Sequence, residues 1–256
     1  MTLNYDVKGR GEPIVLLHGL FGSLENLGVI ARQLAGEYQV ISIDLPDHGK
    51  SPFSDTFSFE HYAQSVAATL QSIEVSQVNL LGHSLGGKVA MHLALSQPSL
   101  VKRLMVADIA PVQYSPRHQN VFNGLQNVDL AQINSRQQAD KLMAEFIMEP
   151  GVRQFLLKSL YKQDDGSYAW RFNLDLLIRD YAILSQAILG SAPYRARTLF
   201  IKGGNSDYIT RDHQPAIGAL FPHAEAKVIN GTGHWLHAEK PNVFAGIVSR
   251  FLEDSD

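Results

Sequence analysis

The chain has 256 residues, 45% of them hydrophobic and 18% charged, with 22 basic and 25 acidic residues and a formal net charge of −3. That is enough apolar matter for a sizeable core and the wrong composition for a disordered chain, and with no basic block, nucleic acid is excluded as the expected partner. There is no cysteine, so disulfides, thiolate chemistry and Cys-based zinc sites are excluded as well.

The first residues, MTLNYDVKGRGEP, lack the apolar stretch of a secretion signal. No run reaches the roughly 18 apolar residues that a membrane span needs. A soluble, cytoplasmic protein is the expectation. Residues 14–17 (IVLL) form a continuous apolar run ending at His18-Gly19, the pattern of a buried strand and a turn. A helical pattern over 27–34 and a strand over 39–44 follow. Residues 45–58 (LPDHGKSPFSDTFS) carry the Pro, Gly, Ser and Asp of a loop. Phe59, Tyr62, Ala63, Val66, Leu70 and Ile73 recur at helical spacing. A strand over 77–81, a helix over 85–96 stopped by Pro98, and a strand over 102–108 complete the first half.

The alternation then breaks. Residues 111–193 hold several helix-like segments, with an Asp-Gly turn inside 161–170 that predicts a small hairpin. Strand and helix resume at 198–201, 212–220, 224–229 and 241–252, the last helix with Pro241 in its first turn. Strands alternating with helices predict a mostly parallel central sheet flanked by helices. The expected division is a core domain of residues 1–110 and 194–256 with a mainly helical cap inserted at 111–193. In such a sheet, functional residues sit past the carboxyl ends of strands. His18, Asp44, Ser84, Asp108, Asp207 and His234 all do.

The stretch LGHSLGGKV over 81–89 fits two motifs. Gly82 to Lys88 matches the start of a phosphate-cradling loop, but position 89 is Val, which has no hydroxyl for Mg²⁺. Gly82-His83-Ser84-Leu85-Gly86 matches G-x-S-x-G, a strained strand-to-helix turn that exposes a serine between two residues small enough for backbones to approach. A hydroxyl needs a general base. His234 supplies one from the Gly-rich turn NGTGHW, and Asp108 and Asp207 are the acids between serine and histidine. The amides of Leu20 and Leu85 are the candidate oxyanion donors. Phe21, Trp170, Arg171 and Phe172 are candidate pocket residues. His18 and His83 are read as structural, His48 and His237 as ordinary, and Lys88 as a helix lysine reaching solvent. Asp44 is expected to order the loop after it.

LLHGLFGS, DLPDHGKS, GHSLGG and GTGHWLHAEKP together resemble the α/β-hydrolase family over essentially the whole chain. HGLFGSLENLG, DIAPVQY, QFLLKS, WRFN and FIKGGNS resemble the bacterial YbfF-type esterases within it. The resemblance implies the α/β-hydrolase fold and a serine hydrolase of carboxylic esters, or of acyl-CoA thioesters, acting through an acyl-serine without metal or cofactor. Its partner would be a small-molecule acyl substrate. The two acids stay open on spacing alone, since Asp207 occupies the commoner place and Asp108 ends a buried strand directly. The resemblance favours Asp108. A serine nucleophile argues against dehalogenase and epoxide-hydrolase chemistry. It leaves C–C hydrolysis, cofactor-free peroxidation and a ligand receptor built on this fold as alternatives.

Overall fold

The computed structural model describes residues 2–254. Met1, Ser255 and Asp256, the ends of the predicted core ranges, lie outside the described residues. The strands are β1 (Tyr5–Lys8), β2 (Glu12–Leu17), β3 (Tyr38–Ile43), β4 (Val78–His83), β5 (Val101–Ala107), β6 (Leu160–Lys162), β7 (Tyr168–Trp170), β8 (Thr198–Gly203) and β9 (Ala224–Ile229). The helices are α1 (Gly28–Leu34), α2 (Phe59–Ser72), α3 (Leu85–Ser96), α4 (Gln119–Gln126), α5 (Arg136–Met143), α6 (Pro150–Leu157), α7 (Leu174–Arg179), α8 (Tyr181–Leu184), α9 (Gln214–Leu220), α10 (Leu236–Glu239) and α11 (Pro241–Glu253).

Among the described residues, one sheet runs in the order β1-β3-β2-β4-β5-β8-β9. Its pairs are parallel except β1 with β3. Both faces of its central strands are covered, which is why those strands read as unbroken apolar runs. Side chains alternate between the faces. Ile14, Leu16, Val40, Leu81, Met105 and Leu199 pack on one side with Ile30, Leu34, Phe244, Val248 and Phe251 of α1 and α11. Val15, Leu17, Ile41, Leu80, Leu104 and Val106 pack on the other with Tyr62, Val66 and Leu70 of α2 and Val89 and Leu93 of α3. Ser58 starts α2 by accepting the His61 N–H at 3.0 Å, one of the orphan amides of the first turn.

Residues 111–193, between β5 and β8, carry α4 to α8 and the antiparallel hairpin of β6 and β7. Phe122, Leu125, Met143, Leu156, Trp170, Phe172 and Leu177 continue the α2/α3 side of the core into this segment. The strand β1 has no apolar run in its sequence. It is an edge strand, four residues long and mostly exposed, so alternation carries no signal there. No helix among the described residues is long and apolar enough to cross a membrane.

Candidate active site

The turn from β4 to α3 places Ser84 at its apex, with φ 54° and ψ −116°. This is strained for a residue with a side chain, and its surroundings hold it there. The Ser84 N–H donates to the Ala107 carbonyl at 3.0 Å, and the Lys88 N–H donates to the Ser84 carbonyl at 3.0 Å. The turn closes only because Gly82 and Gly86 lack a Cβ. One added at Gly82 would sit 2.1 Å from the Gly86 carbonyl oxygen, and one at Gly86 would sit 2.4 Å from that of Leu17.

The Ser84 hydroxyl lies 3.0 Å from His234 Nε2, and His234 Nδ1 lies 2.8 Å from Asp108 Oδ2. A carboxylate only accepts, so Nδ1 carries the proton and Nε2 is free to accept from the serine. Asp108 is fully buried at 0% exposure, just past β5. Its Oδ1 accepts the Gly203 N–H at 2.9 Å and its Oδ2 accepts the Ser206 hydroxyl. Asp207 stands apart. Its side chain is 75% exposed and pairs with Arg117 at 2.7 Å. Of the two acids the sequence offers, the fold brings Asp108 to the histidine.

His234 is held in two further ways, one at its ring and one at its backbone. The Tyr208 ring stacks on it at 3.9 Å with a 20° tilt, and His83 Nε2 donates to the His234 carbonyl at 2.8 Å. His83, His48 and His237 are buried, and burial drives each well below the usual imidazole range, His48 to about 3 and His237 to about 4. They are neutral framework groups. His18 contacts the Gly19 carbonyl through Nδ1 at 2.8 Å and accepts the Leu45 N–H on Nε2 at 3.0 Å, pinning the turn after β2. Asp44 orders its loops as expected, accepting from Leu24 N at 2.7 Å and Lys50 N at 2.9 Å.

Two cavity lobes meet at Ser84. One, of about 70 Å³, is lined by Phe21, Val121, Val152, Phe155, Leu156 and Trp235. The other, of about 50 Å³, is lined by Leu20, Leu85, Lys88, Tyr114, Tyr181 and Leu184. The amides of Leu20 and Leu85 donate to no acceptor among the described residues. Three pocket expectations need correction. Trp170 and Phe172 stack on each other at 5.3 Å, and Phe172 packs edge-on to Phe21 at 5.1 Å. They form the buried floor behind Phe21 and line neither lobe. Arg171 lies over the Tyr161 ring at 4.4 Å, away from Ser84. Trp170 ends the short strand β7, and its side chain turns into the core.

Lys88 is a fourth correction, since it is buried rather than in solvent. Sequence reasoning also passed over Val121, Val152, Leu156, Tyr208 and Ser206. Only Ser206 carried a signal, as the hydroxyl of the GGNS loop after β8. Among the described residues no group of three or more His, Cys, Asp or Glu side chains is arranged to hold a metal ion.

A mostly parallel sheet bearing a hydroxyl, a carboxylate and an imidazole past the carboxyl ends of β4, β5 and β9 is the arrangement of the α/β hydrolases. The chain belongs to that family: the alpha/beta hydrolase fold matches residues 12–241. It is similar in particular to esterases and lipases. It is 40% identical over 247 residues to "Esterase YbfF" of Escherichia coli K12, covering 96% of this chain and 94% of that one. It is 36% identical over 259 residues to "sn-1-specific diacylglycerol lipase ABHD11" of Xenopus laevis, covering 98% and 83%. The solved structure "Marine microorganism esterase" superposes with a TM-score of 0.95 at 36% identity, over 98% of this chain and 99% of that one.

Proposed function

We propose that this chain hydrolyses carboxylic esters of small to medium acyl groups through an acyl-serine intermediate. The observation that carries the reading is the unbroken relay from Ser84 Oγ through His234 to buried Asp108 at 3.0 and 2.8 Å, opening onto an apolar cavity. Ser84 Oγ attacks the acyl carbonyl while His234 Nε2 takes its proton. The oxyanion that forms is held by the N–H groups of Leu20 and Leu85. Asp108 keeps the imidazole in the accepting tautomer and stabilises its cation. The C–O bond to the alcohol then breaks, and the proton on Nε2 goes to the departing oxygen. Water repeats the sequence, giving its proton to His234 and its oxygen to the acyl carbon. The acid leaves and Ser84 regains its proton. No step needs a metal or cofactor.

Residues 111–193 are the cap in this reading, because Val121, Val152, Phe155, Tyr181 and Leu184 all come from that segment and roof the two lobes. Apolar walls with a few polar groups at the reacting carbon suit an acyl chain. A thioester presents the same carbonyl, so the test uses both. Steady-state rates on p-nitrophenyl esters and acyl-CoA thioesters of rising chain length, with a diacylglycerol included, should show turnover of short and medium esters that Ser84→Ala abolishes. Turnover that survives Ser84→Ala within about tenfold would defeat the mechanism.

A further inference from the structure

Lys88 sits one helical turn beyond Ser84 on α3 and takes no part in the relay. Its side chain is buried, at 2% exposure. The Nζ donates to the carbonyls of Leu184 at 3.5 Å, Ser185 at 3.2 Å and Gln186. These are the end of α8 and the two residues that follow it. The faces of Phe59 and Tyr114 lie 5.6 and 5.1 Å from the ammonium. Among the described residues no carboxylate pairs with it. The other titratable groups around its cavity are Tyr114, Tyr181, Tyr208, Arg117 and His118. A buried cation without a counter-ion is costly to place, and burial pushes this one down to about 7. Its compensation is the carbonyl set, where a helix end concentrates negative charge. A methionine would fill the same space without that cost, but it would leave the carbonyls at the end of α8 without this donor.

We propose that Lys88 is a positioning residue that ties α8 of the cap to the nucleophile helix and so sets the depth of the lobe beside Ser84, limiting the apolar group the enzyme accepts there. The inference rests on the proposed function and deepens it. Both ends of the tie wall the same lobe, which is lined by Lys88 on one side and by Tyr181, Leu184 and Ser185 on the other. A rise of α8 by the length of a methylene lets a longer chain in. One methylene in an apolar pocket is worth about tenfold or more in selectivity. The substrate class this predicts is an ester with a short unbranched group on that side of the carbonyl.

The test compares the unsubstituted protein, Lys88→Met and Leu184→Ala on p-nitrophenyl esters from acetate to decanoate, with kcat and KM read separately. Leu184→Ala opens the same lobe from the cap side and keeps the test alive if Lys88→Met fails to fold. The expected result is a rise of about tenfold or more in the decanoate-to-acetate ratio of kcat/KM, carried by a lower KM for the long esters. A purely structural defect would lower all esters together and leave the ratio still. A ratio within about twofold of the unsubstituted protein in the folded variants, with Ser84 still reactive to a fluorophosphonate, overturns the inference alone. An unsubstituted protein whose Ser84 is inert overturns the proposed function and this inference with it.

Discussion

Asp108→Asn changes one atom in the relay and leaves its shape. In the native site Oδ1 accepts the Gly203 N–H at 2.9 Å, while Oδ2 faces His234 Nδ1 at 2.8 Å and the Ser206 hydroxyl. An Asn keeps its oxygen on Gly203 and turns its NH₂ toward the imidazole. That NH₂ donates to Nδ1, which forces the ring proton onto Nε2. The ring nitrogen facing Ser84 then donates where it must accept, and the imidazolium loses its buried counter-charge. The expected loss in kcat is about 10³–10⁴-fold, roughly 4–5.5 kcal/mol in the barrier. Backbone strain is not a confounder, because Asp108 has φ 51° and Asn tolerates that region nearly as well as Asp. Asp207→Asn removes only an exposed pair with Arg117, so its loss should stay under about tenfold. The assay is kcat on a short p-nitrophenyl ester, with circular dichroism to confirm the fold. A crippled Asp207→Asn beside a near-normal Asp108→Asn would refute the assignment of the acid.

Phe155→Ala should change the chain-length profile, since Phe155 lines the larger lobe, whereas Phe172→Ala should cost about 3–5 kcal/mol of stability as a core truncation. Denaturant melts and the ester panel separate the two, and a profile moved by Phe172→Ala alone would contradict the placement. Gly86→Ala should cost at least about 3 kcal/mol or prevent folding, because its Cβ would meet the Leu17 backbone at 2.4 Å and backbone cannot yield as a side chain does; a normal melting temperature would contradict it. Acid should destabilise the fold. His48 and His237 stay neutral in the folded state down to about 3 and 4, while the unfolded chain takes up protons below roughly pH 6.5. Each therefore contributes stability that is present above about pH 6.5 and lost as pH falls toward the folded value, at about 1.4 kcal/mol per pH unit. Melting temperatures across that window should fall on acidification, less steeply in His237→Gln, and a flat profile would refute the neutral burial.

The central strands were legible because both faces are covered, so IVLL over 14–17 and the runs before Ser84 and Asp108 stand out without alternation. The elbow was legible because its geometry tolerates only small neighbours, which leaves Gly82 and Gly86 as letters. β1 was not, because an exposed edge strand needs no apolar pattern. Lys88 misled for a physical reason: a lysine on a helix looks the same in sequence whether it meets water or the carbonyls of a segment nearly a hundred residues away. The stacking of Tyr208 on His234 and the wall of Val152, Phe155 and Leu156 depend on how the inserted segment folds back over the sheet. No local spacing encodes that. Trp170 and Phe172 drew notice as large aromatics in the inserted segment, and their size is what takes them into its core.

Covalent capture of the nucleophile decides the mechanism in a single measurement. The protein is incubated with a fluorophosphonate, the intact mass is read, and the labelled peptide is sequenced, with Ser84→Ala in parallel. The expected result is one adduct per chain, on Ser84, with loss of esterase activity in step with labelling and no adduct on Ser84→Ala. Labelling at another residue, or an ester hydrolysis that persists with Ser84 fully modified, would contradict the acyl-serine mechanism.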